Sequence, residues 1–334
     1  MAKHGRKFGL SVGCILGIIG ASLCAFAVYR ENFWLLVFST PFIGMFTGFA
    51  EFIKYSANEI SSESSEKKRY ISIIVTAGVI AAFIGPWAAK YSNDYLINIQ
   101  PYLGPYLAVL GFCTLGLMLS LCLRLKNVTT EATENTVSVG LRVVLKNQHF
   151  VFGLAASAIA YLVMAAMMDA MPITMMAHDF HFEHTTQVLQ WHLLAMFAPS
   201  YFTGKLIDRF GARCVVLVGI VLNAVGVGAA LIGTDFHNFW IALFLIGLGW
   251  NLMYLAGVGV IATIADDLRP AAEAASNAIL VICFAISAPI ASIILFQFGW
   301  MYVSLYALMQ LGVVLIISLK FKAHSTNQNM ENTC

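Results

Sequence analysis

Long apolar runs, each closed by a few polar or charged residues, follow one another along the whole chain. Ten of them reach spanning length, near 8–28, 33–53, 70–90, 102–123, 150–173, 188–207, 214–233, 239–263, 276–298 and 301–320. Crossing a bilayer takes about 20 largely apolar residues. Backbone groups facing lipid must find partners within their own segment, so each run is expected to be a helix. The pattern predicts an all-α polytopic membrane protein with ten transmembrane helices. The largest polar interruption, residues 124–147 (RLKNVTTEATENTVSVGLRVVLKN), separates four predicted spans from six. A second polar stretch, residues 55–69, reads as a solvated loop. The expected division is therefore a four-helix bundle over 1–126, a linker over 127–147, a six-helix bundle over 148–323 and a tail over 324–334.

Charge orients these spans. With a cytoplasmic N-terminus, 17 of the 19 lysines and arginines fall on the inner side, and only Arg30 and Lys90 fall outside. That asymmetry follows the positive-inside rule and is expected to place both termini in the cytoplasm. A chain 60% hydrophobic and 11% charged, with mean hydropathy +0.80, is not a soluble globular domain. The net charge of +2 changes nothing. Seven cysteines stand singly with no CxxC pair, and they read as small packing residues rather than a disulfide framework. The chain has no P-loop, GxSxG or HExxH motif, so an enzyme or a phosphate-driven pump has no support, and no resident cofactor is expected. No nucleic-acid partner is expected either.

The sequence repeats itself. At an offset of 206, Gly5 aligns with Gly211, Gly13 with Gly219 and Gly20 with Gly226. Asn32, Phe33, Trp34 and Phe38 align with Asn238, Phe239, Trp240 and Phe244. Duplicated halves mark secondary transporters. The second copy has two spans before Gly211, whereas the first has almost nothing before Gly5, so two opening helices are expected to be missing.

Candidate chemistry concentrates in residues 160–213. Met164 and Met168 lie four apart on one predicted helix, and His192 and Met196 four apart on the next. Residues four apart share a helix face. A hairpin centred near position 180 would bring Met168 level with His192 and Met164 level with Met196. Thioethers and an imidazole make a soft set that favours Cu(I) over hard cations. Methionine also fills gaps in apolar cores, so packing is the competing reading, for Met167 and Met171 as well. A histidine inside a span needs a partner or a cavity. Asp169 could attract a cation or be merely interfacial. The loop residues His178, Asp179, His181 and His184 could capture metal, or could simply be solvated. Glu51 and Lys54 read as a snorkelling pair. Pro172, Pro199 and Pro289 are expected to interrupt their helices and act as bending points.

The stretch Gly204-Lys-Leu-Ile-Asp208-Arg209-Phe-Gly211-Ala-Arg213 resembles the G-x-L-x-D-R-x-G-R-R loop of the major facilitator superfamily. His4-Gly5-Arg6-Lys7 resembles the tail of the same loop. The resemblance implies a two-bundle fold in which this chain supplies helices three to twelve. Glycines would allow close helix approach in the loop, and Asp208 and Arg209 would form charge contacts. Met164-x-x-x-Met168 and His192-x-x-x-Met196 further resemble the signature of the CcoA-like copper importers (the CalT branch), a branch that also includes riboflavin transporters. The resemblance implies copper import across a bacterial inner membrane, with the bilayer and a copper ion or small organic solute as partners. Tyr161, Trp250, Asn251 and Tyr254 would face the central cavity by the same analogy. Carriage of an organic solute, or a non-transporting membrane fragment, are the alternatives.

Overall fold

The computed structural model describes residues 5–50, 64–122, 141–265 and 268–321, and the expected pair Glu51–Lys54 and most of the linker lie outside these. The chain divides into two compact units, Met1–Thr136 and Val137–Cys334. The described residues form twelve helices.

The first unit holds α1 (Gly5–Tyr29), α2 (Phe33–Ala50), α3 (Ser64–Leu96) and α4 (Leu103–Cys122). Helix α1 packs on α2 and α4, and α3 packs on α4. The turn into α2 is closed by Asn32, whose Oδ1 accepts from the Leu35 N–H at 3.0 Å. That bond supplies a partner for a donor the helix start leaves free. Ser11 and Ser120, 3.0 Å apart at their hydroxyls, tie α1 to α4.

The second unit begins with α5 (Leu141–Val144), a single turn, and continues with α6 (Gln148–Ala177), α7 (Phe182–Phe197) and α8 (Ser200–Phe210). It ends with α9 (Ala212–Ile232), α10 (Phe236–Ala262), α11 (Arg269–Phe298) and α12 (Trp300–Lys320). Helix α10 is the hub: α6, α7, α8 and α9 all lean on it. Helices α11 and α12 pack on α6, and α12 also packs on α9. One apolar core runs through these helices. Asn147 starts α6 by accepting from the His149 and Phe150 N–H groups.

Seven described helices are long and apolar enough to span, and α2 supplies a shorter apolar segment, Phe33–Phe49. The ten expected runs match this set except in two places. The run 188–207 is two helices, α7 and α8, because the hydrogen-bond ladder lapses at Ala198–Pro199. Proline offers no N–H to the carbonyl one turn back. The run 70–90 lies within the longer α3. The prolines differ from expectation too: Pro172 and Pro289 sit inside unbroken helices, and of the three only Pro199 interrupts one.

The repeat has a packing meaning. A Cβ on Gly13 would sit 2.5 Å from the Phe49 side chain, and one on Gly20 would sit 2.8 Å from that of Phe42, so α1 and α2 pack closely. Their counterparts do the same in the second unit. A Cβ on Gly219 would fall 2.6 Å from Met253, and one on Gly226 would fall 2.8 Å from the Ala242 carbonyl. Small residues let helices approach where lipid gives no hydrophobic drive. The α1–α2 pair and the α9–α10 pair are thus equivalent.

Candidate functional site

The site lies along one side of α10. His192, on α7, is fully buried. Its Nδ1 lies 2.7 Å from the Leu243 carbonyl of α10, so Nδ1 carries the proton and donates. Gly247 makes the contact possible, since a Cβ there would meet the His192 carbonyl at 2.7 Å. The Nε2 atom is buried with no hydrogen-bond partner. A neutral imidazole with one nitrogen fixed to a carbonyl and the other free is a lone pair held in place, the arrangement typical of ligating histidines.

Met164 and Met196 are buried in the shared apolar core, and Met168 packs against it half-buried. Met167 and Met171 are fully buried beside them. Helices α6 and α7 touch each other sparsely; α10 is what each of them packs on. A directly packed hairpin is therefore not how these methionines come to share a core. Asp169 lies half-buried on α6.

One turn or two further along α10, aromatic rings gather. Trp250 stacks on Tyr254 with centroids 4.8 Å apart. Tyr161 of α6 meets both edge-on at 5.3 Å. Phe284 of α11 approaches Tyr161 at 6.1 Å, and Phe197 of α7 approaches Trp250 at 6.3 Å. Trp250 is buried and its indole N–H has no partner. Phe284 is 45% exposed. Edge-to-face and offset contacts of this kind favour a further planar ring.

Asn251 differs from the expectation that it lines a cavity. It is buried, and its amide closes the gap between α7 and α8. Its Nδ2 donates to the Met196 carbonyl at 2.6 Å and to Ser200 Oγ at 2.7 Å, and its Oδ1 accepts from Thr203 Oγ1 at 2.5 Å. The Met196 carbonyl and these hydroxyls thereby find partners where the ladder lapses.

The histidine loop joins α6 to α7. His178 Nδ1 lies 2.9 Å from the Thr174 carbonyl, and the His181 and His184 rings stack at 6.2 Å. His184 also meets Phe180 and Phe236. Among the described residues, no three His, Cys, Asp or Glu side chains converge as a metal site. His178, Asp179, His181 and His184 do not gather into one.

At the other end of the unit lies the basic loop. Gly211 has φ +80° and so needs to be glycine, since other side chains rarely adopt that conformation. Gly204 has no neighbour within 4 Å of a built Cβ, so it serves no close approach. Asp208 and Arg209 are exposed, with the Arg209 guanidinium over the Phe210 ring. Arg213 Nη2 donates to the Leu319 carbonyl at 3.1 Å, placing a cation on the C-terminal end of α12, where the helix dipole favours it.

Phe197, Phe284 and the Asn251–Ser200–Thr203 cluster escaped the sequence reading. Phe197 follows Met196 directly and Pro199 marks the bend; nothing in the sequence ties Phe284 to Tyr161.

Helical spans in duplicated pairs, a broken helix and a polar-and-aromatic site set among the spans define a multi-pass membrane transporter. The chain belongs to the Major Facilitator Superfamily, whose sequence profile matches residues 1–198 and 154–329. It is 30% identical over 306 residues to the riboflavin transporter RfnT of Brucella anthropi, covering 90% of this chain and 75% of that protein. It is 26% identical over 300 residues to YddS of Bacillus subtilis, an uncharacterised transporter of the same type, covering 85% of this chain and 68% of that one. The solved structure of FucP in its outward conformation superposes with a TM-score of 0.60 at 15% identity, covering 97% of this chain and 85% of FucP. A bacterial homologue of the human lysosomal transporter Spinster superposes at 0.54 with 13% identity, covering 95% of this chain and 81% of that one. These two likenesses concern the fold alone.

Proposed function

We propose that this chain carries a planar aromatic solute of the flavin type across a bacterial inner membrane by alternating access. The observation that carries the reading is the ring cluster of Tyr161, Trp250, Tyr254 and Phe284, together with the buried, unpartnered Trp250 N–H. A flat heterocycle would stack on these rings, and one of its carbonyls would accept from the indole. A relative at 30% identity that transports riboflavin supports the same chemistry. The test is uptake of labelled riboflavin by a riboflavin-requiring strain expressing the chain. Tyr161→Ala and Trp250→Ala are each expected to lower uptake about tenfold or more, since base-type stacking on an aromatic ring is worth roughly 1–3 kcal/mol. Uptake no greater than in the empty-vector strain would overturn the reading.

A second reading, Cu(I) import, is favoured by one feature: the buried, unpartnered Nε2 of His192, within the core that also holds Met164 and Met196, with Met168 beside it. Copper accumulation in a copper-limited strain separates the two. Under this reading His192→Ala abolishes copper uptake and leaves riboflavin untouched. Under the first, the joint alanine variant of Met164, Met168, His192 and Met196 accumulates as much copper as the parent.

A further inference from the structure

Where α6 begins and α12 ends, a groove opens between the two helices. It is lined by Lys146, Gln148, Val151, Phe152, Ile317, Lys320 and Phe321. Its floor is aromatic, with Phe152 and Phe321 stacked 4.1 Å apart and 8° from parallel. Val151 and Ile317 continue the apolar wall along the spans. Two lysines from separate elements stand at the mouth, and among the described residues none of the lining is acidic. Both helices are of spanning length, so this mouth lies where apolar spans give way to polar sequence.

We propose that the groove seats an anionic phospholipid, its phosphate between Lys146 and Lys320 and one acyl chain along Val151, Phe152 and Ile317. The division of chemistry carries the assignment: cationic at the membrane surface, apolar along the span. A soluble anion would use only the first half. A zwitterionic lipid carries a phosphate too, but its quaternary ammonium would bring positive charge up to the two lysines. The N-terminal end of α6, next to Lys146, adds favourable field for negative charge. A lysine near the bilayer surface strengthens attraction of anionic lipid roughly fivefold. The seat is independent of which solute the protein carries. It joins α6 and α12, the first and last spanning helices of the second unit, which pack on each other, so occupancy would tighten that pairing.

Native mass spectrometry of the purified, delipidated full chain tests this, with phosphatidylglycerol and phosphatidylcholine of identical acyl chains. The parent is expected to retain phosphatidylglycerol about fivefold or more over phosphatidylcholine. K146Q/K320Q should bring the two lipids to parity. V151W keeps both charges but fills the groove, and should lower retention of phosphatidylglycerol. All three side chains are exposed, so these variants leave the core untouched. Inorganic phosphate in millimolar excess should not displace the lipid. The proposal is overturned if K146Q/K320Q keeps the preference, if V151W retains lipid as the parent does, or if inorganic phosphate displaces it. The last result would make the mouth a free-anion site.

Discussion

Asn251 makes three hydrogen bonds with one side chain, all directed at the bend between α7 and α8. Leucine is close in size and makes none of them. Asn251→Leu would strand the Met196 carbonyl and leave Ser200 and Thr203 short of a partner. The expected loss is about 1–3 kcal/mol, read as an earlier denaturant midpoint in detergent. Trp250→Phe should behave differently. It keeps a ring on Tyr254 but removes a donor that the protein leaves unused, together with part of a buried side chain. The smaller buried ring leaves a cavity and should cost about 1 kcal/mol, while affinity for a carbonyl-bearing solute falls. Titration calorimetry on the same preparation separates the two effects. At this scale the sequence disclosed the actors but not their partners. His192 stands out as a costly residue within a span, whereas Tyr161, Trp250 and Tyr254 are reached only through the family resemblance. The Leu243 carbonyl does not stand out, because a backbone acceptor has no signature in residue type. The face that Met164, Met167 and Met171 present was equally hidden, because a helix apolar all round points nowhere.

Three prolines with the same expectation gave one broken helix. A spanning helix tolerates proline when its neighbours satisfy the freed groups, and neighbours are not visible in a linear pattern. Pro199→Ala restores the missing N–H. It is expected to join α7 to α8 into one helix, to raise the thermal midpoint and to slow uptake, measured side by side in vesicles. The glycines divide in the same way. Gly219→Val drives a side chain into Met253 and the Gly249 carbonyl, and should cost about 1–3 kcal/mol or more by overpacking. Gly204→Ala meets nothing. It sits inside α8, so it should be neutral or stabilising by about 0.5–1 kcal/mol. Periodicity placed both glycines on helices; only the repeat distinguished them, by giving Gly219 a counterpart in Gly13.

Across the second unit, every described lysine and arginine lies at one end. Arg142 and Lys146 precede α6, Lys205 and Arg209 are in α8, Arg213 is in the first turn of α9, Arg269 starts α11 and Lys320 closes α12. The opposite end carries the turns 178–181, 233–235 and Gly299, with no lysine or arginine among them. Single cysteines placed at Lys146 and Lys205 should therefore react with a membrane-impermeant thiol reagent from one side of the membrane, and cysteines at His178 and Asp235 from the other. Labelling of positions 146 and 205 from different sides would contradict the topology. The alternation of span and loop was legible because a bilayer imposes it on every segment. The order in which helices pack was not. That α10 and not α7 is the neighbour of α6 depends on which small residues meet, and no hydropathy window records that.

The two glycine-seamed pairs also bear on how the molecule comes into being. Within each pair the partners are consecutive in the chain, joined by turns of three residues at 30–32 and 233–235. Their association closes almost no loop, so little chain entropy opposes it. Each pair can assemble once its second helix has left the insertion machinery, before any later helix exists. Helices α6 and α12, made far apart in time, can meet only afterwards. Maturation should thus proceed from two early seeds outward. The last structure to yield on denaturation should be α9 with α10, seen as the slowest backbone hydrogen exchange in the second unit.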